Sequence, residues 1–200
     1  MLKKLFCVLH QYSNATRQLD FIAPLAIRLY LAPVFWFAGM NKLSDMESTI
    51  TWFGNAEWGL GLPFPEVMAW LAALTEVGGA VLLVVGLGVR WVALPLMITM
   101  VVAALAAHWD NGWQAINDLK SPWASATAEE ALRRLEITKN IVREHGRYGW
   151  LTEHGRLVSL NNGIEWAATY FLLCLSLFFT GAGKWLSLDY WLLRWLQKDQ

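Results

Sequence analysis

Charge is what this sequence has least of. Only 16% of its 200 residues are Asp, Glu, Lys or Arg, while 56% are hydrophobic. Soluble domains carry about 25% charged residues, so the shortage, with a mean hydropathy of +0.35, excludes an ordinary soluble domain and points to a bilayer. The formal net charge is zero, which gives no broad basic face and no nucleic-acid partner. Cysteine is scarce too. Cys7 and Cys174 lie in different segments without metal-type spacing, so neither a disulfide framework nor a zinc site is supported. No Walker loop, dinucleotide-binding glycine motif or nucleophile elbow occurs. The tract Gly59-Leu-Gly-Leu-Pro63 is turn chemistry without a phosphate role, and no residue is assigned as catalytic.

Long apolar runs and tryptophan are abundant instead. Thirteen Trp residues suit the membrane interface, where the ring is apolar and its N–H stays wet. A spanning helix needs about 20 apolar residues, and four stretches answer: 21–41, 67–89, 91–109 and 163–183. The turn Gly86-Leu-Gly-Val-Arg90 is too short for a domain, so the second and third form a tight hairpin. The 42–65 connection is rich in Gly and Trp. The long loop 110–162 holds a capping box, Thr127-Ala-Glu-Glu130, ahead of a helix reaching about Glu144; Gly149–Leu160 is irregular or a short hairpin. Residues 1–19 read as an amphipathic surface segment. Trp185, Leu188, Trp191, Leu192 and Trp195 sit on an interfacial helix. The density of Lys and Arg places both termini in the cytoplasm.

The fold expected is all-α: an integral membrane four-helix bundle, with amphipathic termini and an extracytoplasmic, partly helical loop subdomain, within a single domain 1–200.

Charges inside hydrocarbon are costly and need partners. Arg28 on the first span and Glu76 on the second lie at depths that long side chains can bridge. Ala69, Ala72, Ala73, Gly79 and Ala80 share Glu76's face and allow close helix approach. The pair reads equally as a register-fixing ion pair or as a polar site for a quinone head group, a proton or an ion. A second cluster is expected at the outer rim: Lys42, His108, Asp110 and Glu165, with Glu153, His145 and His154 nearby. His108 and Glu165 are the candidate metal ligands, although a plain hydrogen bond between them is the stronger reading. Met97 and Met100 lead towards His108; thioethers suit Cu(I), but methionine in an apolar helix usually serves packing. Cys174 reads as inert packing.

These pieces resemble the DoxX family of small four-span membrane proteins. The matching stretches are Arg28-Leu-Tyr-Leu-Ala with Gly39-Met-Asn-Lys-Leu43, Gly61-Leu-Pro63, Thr75-Glu-Val-Gly-Gly79, Leu87-Gly-Val-Arg90 and Thr180-Gly-Ala-Gly-Lys-Trp-Leu-Ser-Leu-Asp189. His108-Trp-Asp-Asn-Gly-Trp113, its long following loop and Asn161-Asn-Gly-Ile-Glu165 are similar to the HvfX branch, associated with maturation of copper-binding ribosomal peptides. The resemblance makes Arg28, Lys42, Glu76 and Arg90 the polar positions of the family pattern. It implies a bacterial inner-membrane protein with a redox or quinone-linked role. The narrower branch implies a place beside enzymes that modify cysteine-rich, copper-sequestering peptides. Quinone and copper both stand as cofactor candidates. A transporter or export scaffold for the peptide or metal, a non-catalytic docking protein and an oligomeric assembly stay open.

Overall fold

The computed structural model describes residues 16–199, and all regular structure among them is helical. A short 3₁₀ turn, Thr16–Leu19, leads into α1 (Ile22–Ser44), α2 (Met46–Gly54), α3 (Pro65–Val85) and α4 (Val89–Val102), which runs on as a π-helical segment to Ala107. A 3₁₀ turn at Trp109–Asn111 precedes α5 (Ala128–His145), α6 (Tyr148–Leu151), α7 (Glu165–Thr180) and α8 (Leu188–Leu196). Of the expected amphipathic segment 1–19, residues 1–15 lie outside the described residues.

Three helices are long and apolar enough to cross a membrane: Ile22–Ser44, Pro65–Val85 and Val89–Ala107. The fourth expected span, 163–183, is apolar but shorter, with 16 helical residues. At 1.5 Å per residue that is about 24 Å, short of a hydrocarbon core of about 30 Å. Gly181 (φ 75°) ends it in the left-handed region, the usual helix-stop geometry. Outward faces of these helices are apolar: Phe37 is 66% exposed and Ile98 64%. Such a surface is stable only if its solvent is lipid.

The chain divides into two compact units. Unit 1 takes the chain up to Thr99 and from Tyr170 onward; unit 2 is Met100–Thr169. In unit 1, α1 and α3 make the principal packing seam. α1 buries Arg28, Leu31, Ala32, Phe35 and Gly39 in it, and α3 buries Ala69, Ala73, Glu76, Gly79, Ala80 and Leu83. Gly39 sets the closeness. A Cβ there would lie 2.6 Å from Val77 Cγ2 and 3.0 Å from the Ala73 carbonyl. Cys174 is fully buried, and Met97 and Met100 are buried at 8% and 9% exposure. All three occupy packing positions.

α2 falls in the connection read as a Gly- and Trp-rich loop. Its start is encoded locally: Asp45 caps it by accepting from the Ser48 amide at 3.1 Å. Phe53 is its buried anchor.

Unit 2 is built around loops rather than spans. α5 begins at Ala128, but the Thr127 side chain makes no cap bond, so the expected capping box does not close. Ile116 and Leu160 form an isolated antiparallel bridge. The start of α7 is capped by backbone: the amides of Gly163, Ile164 and Glu165 donate to the carbonyls of Gln114, Gly112 and Trp113 at 2.9, 3.0 and 2.9 Å. Asn161 secures this crossing through bonds from Nδ2 to the Asn111 and Gln114 carbonyls at 2.6 and 2.8 Å.

Candidate functional site

Two buried charges were expected to meet in the seam, and each has found another partner. Arg28, only 1% exposed, spends its guanidinium on four backbone carbonyls. Nε donates to Leu83 O at 2.7 Å, Nη2 to Val84 O at 2.9 Å, and Nη1 to Ala182 O and Leu186 O at 2.6 and 3.1 Å. Leu83 and Val84 close α3, where carbonyls have no intrahelical donor and the helix dipole favours a cation. Arg28 is thus a cap that ties α1 to the end of α3 and to the segment after α7.

Residues missed by the sequence reading complete this knot. Asp189 accepts from the Gly88 and Val89 amides at 2.7 and 3.2 Å, and its own amide donates to Gly86 O. It holds the α3–α4 hairpin from the far end of the chain. Gly86 (φ 71°) is obligatory here, since a Cβ would lie 2.6 Å from Arg28 Nη2. Arg90 repeats the theme, donating to Phe179 O near the end of α7 at 3.1 Å.

Glu76 lies seven residues before Leu83, about 10 Å along the helix, and its partner is Lys42. The ammonium reaches both carboxylate oxygens, at 2.9 and 2.7 Å. Glu76 and Lys42 side chains are 5% and 23% exposed. Gly39, one turn before Lys42, brings the two helices close enough for this contact. That spacing was a readable signal. Its place near the end of its span points Lys42 to the rim cluster, but a lysine stem is long enough to carry the charge back along the helix.

The rest of the rim cluster belongs to unit 2 and is not a cluster. His108 Nδ1 contacts Asn162 O at 2.9 Å, and Glu165 Oε2 accepts from the Ala115 amide at 2.8 Å. The two do not bond to each other, so the expected His108–Glu165 contact is replaced by loop capping. Asp110 lies in the 3₁₀ turn Trp109–Asn111. Among the described residues no group of three His, Cys, Asp or Glu side chains converges on a metal position.

The α1–α3 seam, with Arg28 at one level and Lys42–Glu76 at another, falls within the region that the comparisons single out. Residues 23–109 match the DoxX family model. The matched stretch holds both buried charges and the hairpin, while most of unit 2 lies beyond it. A protein of Bacillus subtilis (strain 168) named "Putative oxidoreductase CatD" is 33% identical over 84 residues. The alignment covers 42% of this chain and 58% of that protein, so it spans little more than half of the relative. No solved structure was found to match.

Proposed function

We propose that this DoxX-type membrane protein supports maturation of copper-binding peptides, or copper and redox homeostasis, through quinone-linked redox chemistry at the Lys42–Glu76 pair. The observation that carries the reading is this pair itself, a part-buried ammonium held bidentately by a buried carboxylate on the α1–α3 seam. The relative's name as an oxidoreductase supports a redox role in the same region.

The residues fit a quinone head group. Two of the three Lys42 N–H donors are engaged by Glu76, and the third reaches only Ala38 O at 3.4 Å. That donor is free to turn to a head-group oxygen. Glu76 supplies the matching acceptor, and as a carboxylate it can take or return one proton. A quinone contributes a lipid-soluble carrier of two electrons and two protons. Among the described residues no group of three His, Cys, Asp or Glu side chains converges to hold copper; in this reading copper is cargo of a cysteine-rich partner peptide and its modifying enzymes. The setting is the bacterial inner membrane, with both termini cytoplasmic.

The test is binding of a quinol analogue to the purified protein in membranes. Glu76→Gln keeps the shape but cannot act as proton acceptor, and should abolish analogue-dependent redox activity. Unchanged binding and activity in Glu76→Gln and Lys42→Met would remove the quinone role.

Unit 2 supports a docking role alongside. Trp109, Trp123 and Trp150 stand 60%, 64% and 65% exposed there, which suits a partner surface. Deleting 115–160 while keeping the spans should abolish partner recruitment and spare analogue binding.

A further inference from the structure

The segment after α7 has an arrangement that neither the seam nor the pair explains. Gly181, Gly183 and Trp185 all have positive φ, at 75°, 84° and 63°, and alternate with Ala182 and Lys184, which do not. Alternation of this kind turns successive amides to one side and makes a concavity for an anion. The carbonyls from Ala182 to Leu186 are taken, that of Lys184 by the Leu186 amide at 2.7 Å. Ala182 O and Leu186 O receive Arg28, Gly183 O receives the Ser187 hydroxyl at 2.6 Å, and Trp185 O receives the Trp191 indole at 2.7 Å. The amides of Gly183, Lys184 and Trp185 donate to no group among the described residues. Backbone held so that its acceptors are filled and its donors are open favours a negative ligand.

Side chains at this place have the matching sign. Lys184 is exposed. Arg194 lies 5.8 Å over the Trp191 ring, and that indole is bonded to the residue following Lys184. Arg194 is thus tied through Trp191 to the loop that carries Lys184. Asp189 does not oppose them, since both its oxygens face the Gly88 and Val89 amides. Around them stand Trp185, Trp191 and Trp195, 49%, 51% and 63% exposed, the composition of a membrane interface.

We propose that the Gly181–Trp185 loop, with Lys184 and Arg194, holds the phosphate of an anionic phospholipid headgroup where α7 ends and α8 begins. The open amides take the phosphate oxygens, and the two cations select for net negative charge. α8 lies in the interface with its tryptophans among the headgroups. This site is independent of the quinone reading, because its residues take no part in the Lys42–Glu76 pair.

The test uses the full-length protein in zwitterionic micelles, titrated with phosphatidylglycerol, with phosphatidylcholine and with inorganic phosphate, and reads thermal unfolding and apparent affinity. Phosphatidylglycerol should stabilise the protein more than phosphatidylcholine does. Lys184→Gln/Arg194→Gln should weaken phosphatidylglycerol about thirtyfold, from roughly 1 kcal/mol per interfacial cation. The double variant should stay close to wild type without added lipid, since neither side chain forms a hydrogen bond or ion pair among the described residues and Arg194 only rests over the exposed Trp191 ring. Lys120→Gln/Arg156→Gln in unit 2, of equal charge change, should leave the affinity alone. Equal effects of the two lipids, equal losses in both double variants, or an equal response to inorganic phosphate would each overturn the assignment.

Discussion

Arg28 and Lys42 stand on the same helix, both turned into the α1–α3 seam, and each is satisfied by the opposite means. Arg28 hydrogen-bonds only to neutral carbonyl dipoles, four of them, two at the end of α3 and two in the segment after α7. Lys42 meets one carboxylate. A guanidinium is planar, permanently charged and rich in fixed donors, so it suits a cap that never changes state. An ammonium on a carboxylate is a pair whose charge can be altered by a single proton. The contrast makes the first a structural cap and leaves the second as the pair on which the proposed redox chemistry rests.

The largest effect should come from breaking the first. Arg28→Ala leaves four carbonyls without donors in a buried site, and by analogy with loss of a buried charged partner it should cost about 3–5 kcal/mol or prevent folding. Arg28→Lys should recover only a fraction, because one ammonium cannot reproduce the fork. Unfolding in mixed micelles, read with protease sensitivity of the α7–α8 segment, checks both. A near-neutral Arg28→Ala would show that the cap is dispensable.

The second cation should behave differently under the same treatment. Lys42→Met strands a buried carboxylate and should cost about 3–5 kcal/mol, whereas Lys42→Met/Glu76→Leu should cost less than that single change. Additive losses in the double-mutant cycle would deny that the two side chains are coupled.

Much of this was legible beforehand. The α1, α3 and α4 spans, the hairpin and the α5 helix follow from apolar length and local signals, and the burial of Arg28 and Glu76 follows from the cost of charge in lipid. The partners were not legible. Depth along two helices says which charges lie at similar levels, but not that Arg28 would prefer the unpaired carbonyls at the end of α3. Sequence distance hid Asp189, which reaches the hairpin from beyond the last span. In unit 2, capping by backbone carbonyls left no side-chain pattern to read, so His108 and Glu165 looked like partners when both serve the loop.

The seam and the loop unit can be compared by smaller changes. Gly39→Ala pushes a methyl into Val77 and the Ala73 carbonyl, and should cost about 1–3 kcal/mol by overpacking while weakening the Lys42–Glu76 contact. In unit 2, Asn161→Ala removes two bonds to loop carbonyls and should cost about 1–2 kcal/mol. Hydrogen exchange should localise the first loss to α1 and α3 and the second to the start of α7. Loss spread evenly over both units in either variant would contradict the division.

The smallest effect belongs to the solvent-facing charges of α5, where water screens what lipid does not. Glu136 is held below the usual carboxylate range chiefly by its hydrogen bond from Arg143 at 2.9 Å. Its contribution is therefore present above the ordinary glutamate value and disappears as pH falls through the lowered one. Amide exchange along α5 should quicken slightly over that acidic interval, and Glu136→Gln should remove the pH dependence with little other change. A large stability loss in Glu136→Gln would mean that α5 depends on this surface pair in a way its exposure to water does not allow, and would bring unit 2 closer in kind to the buried seam.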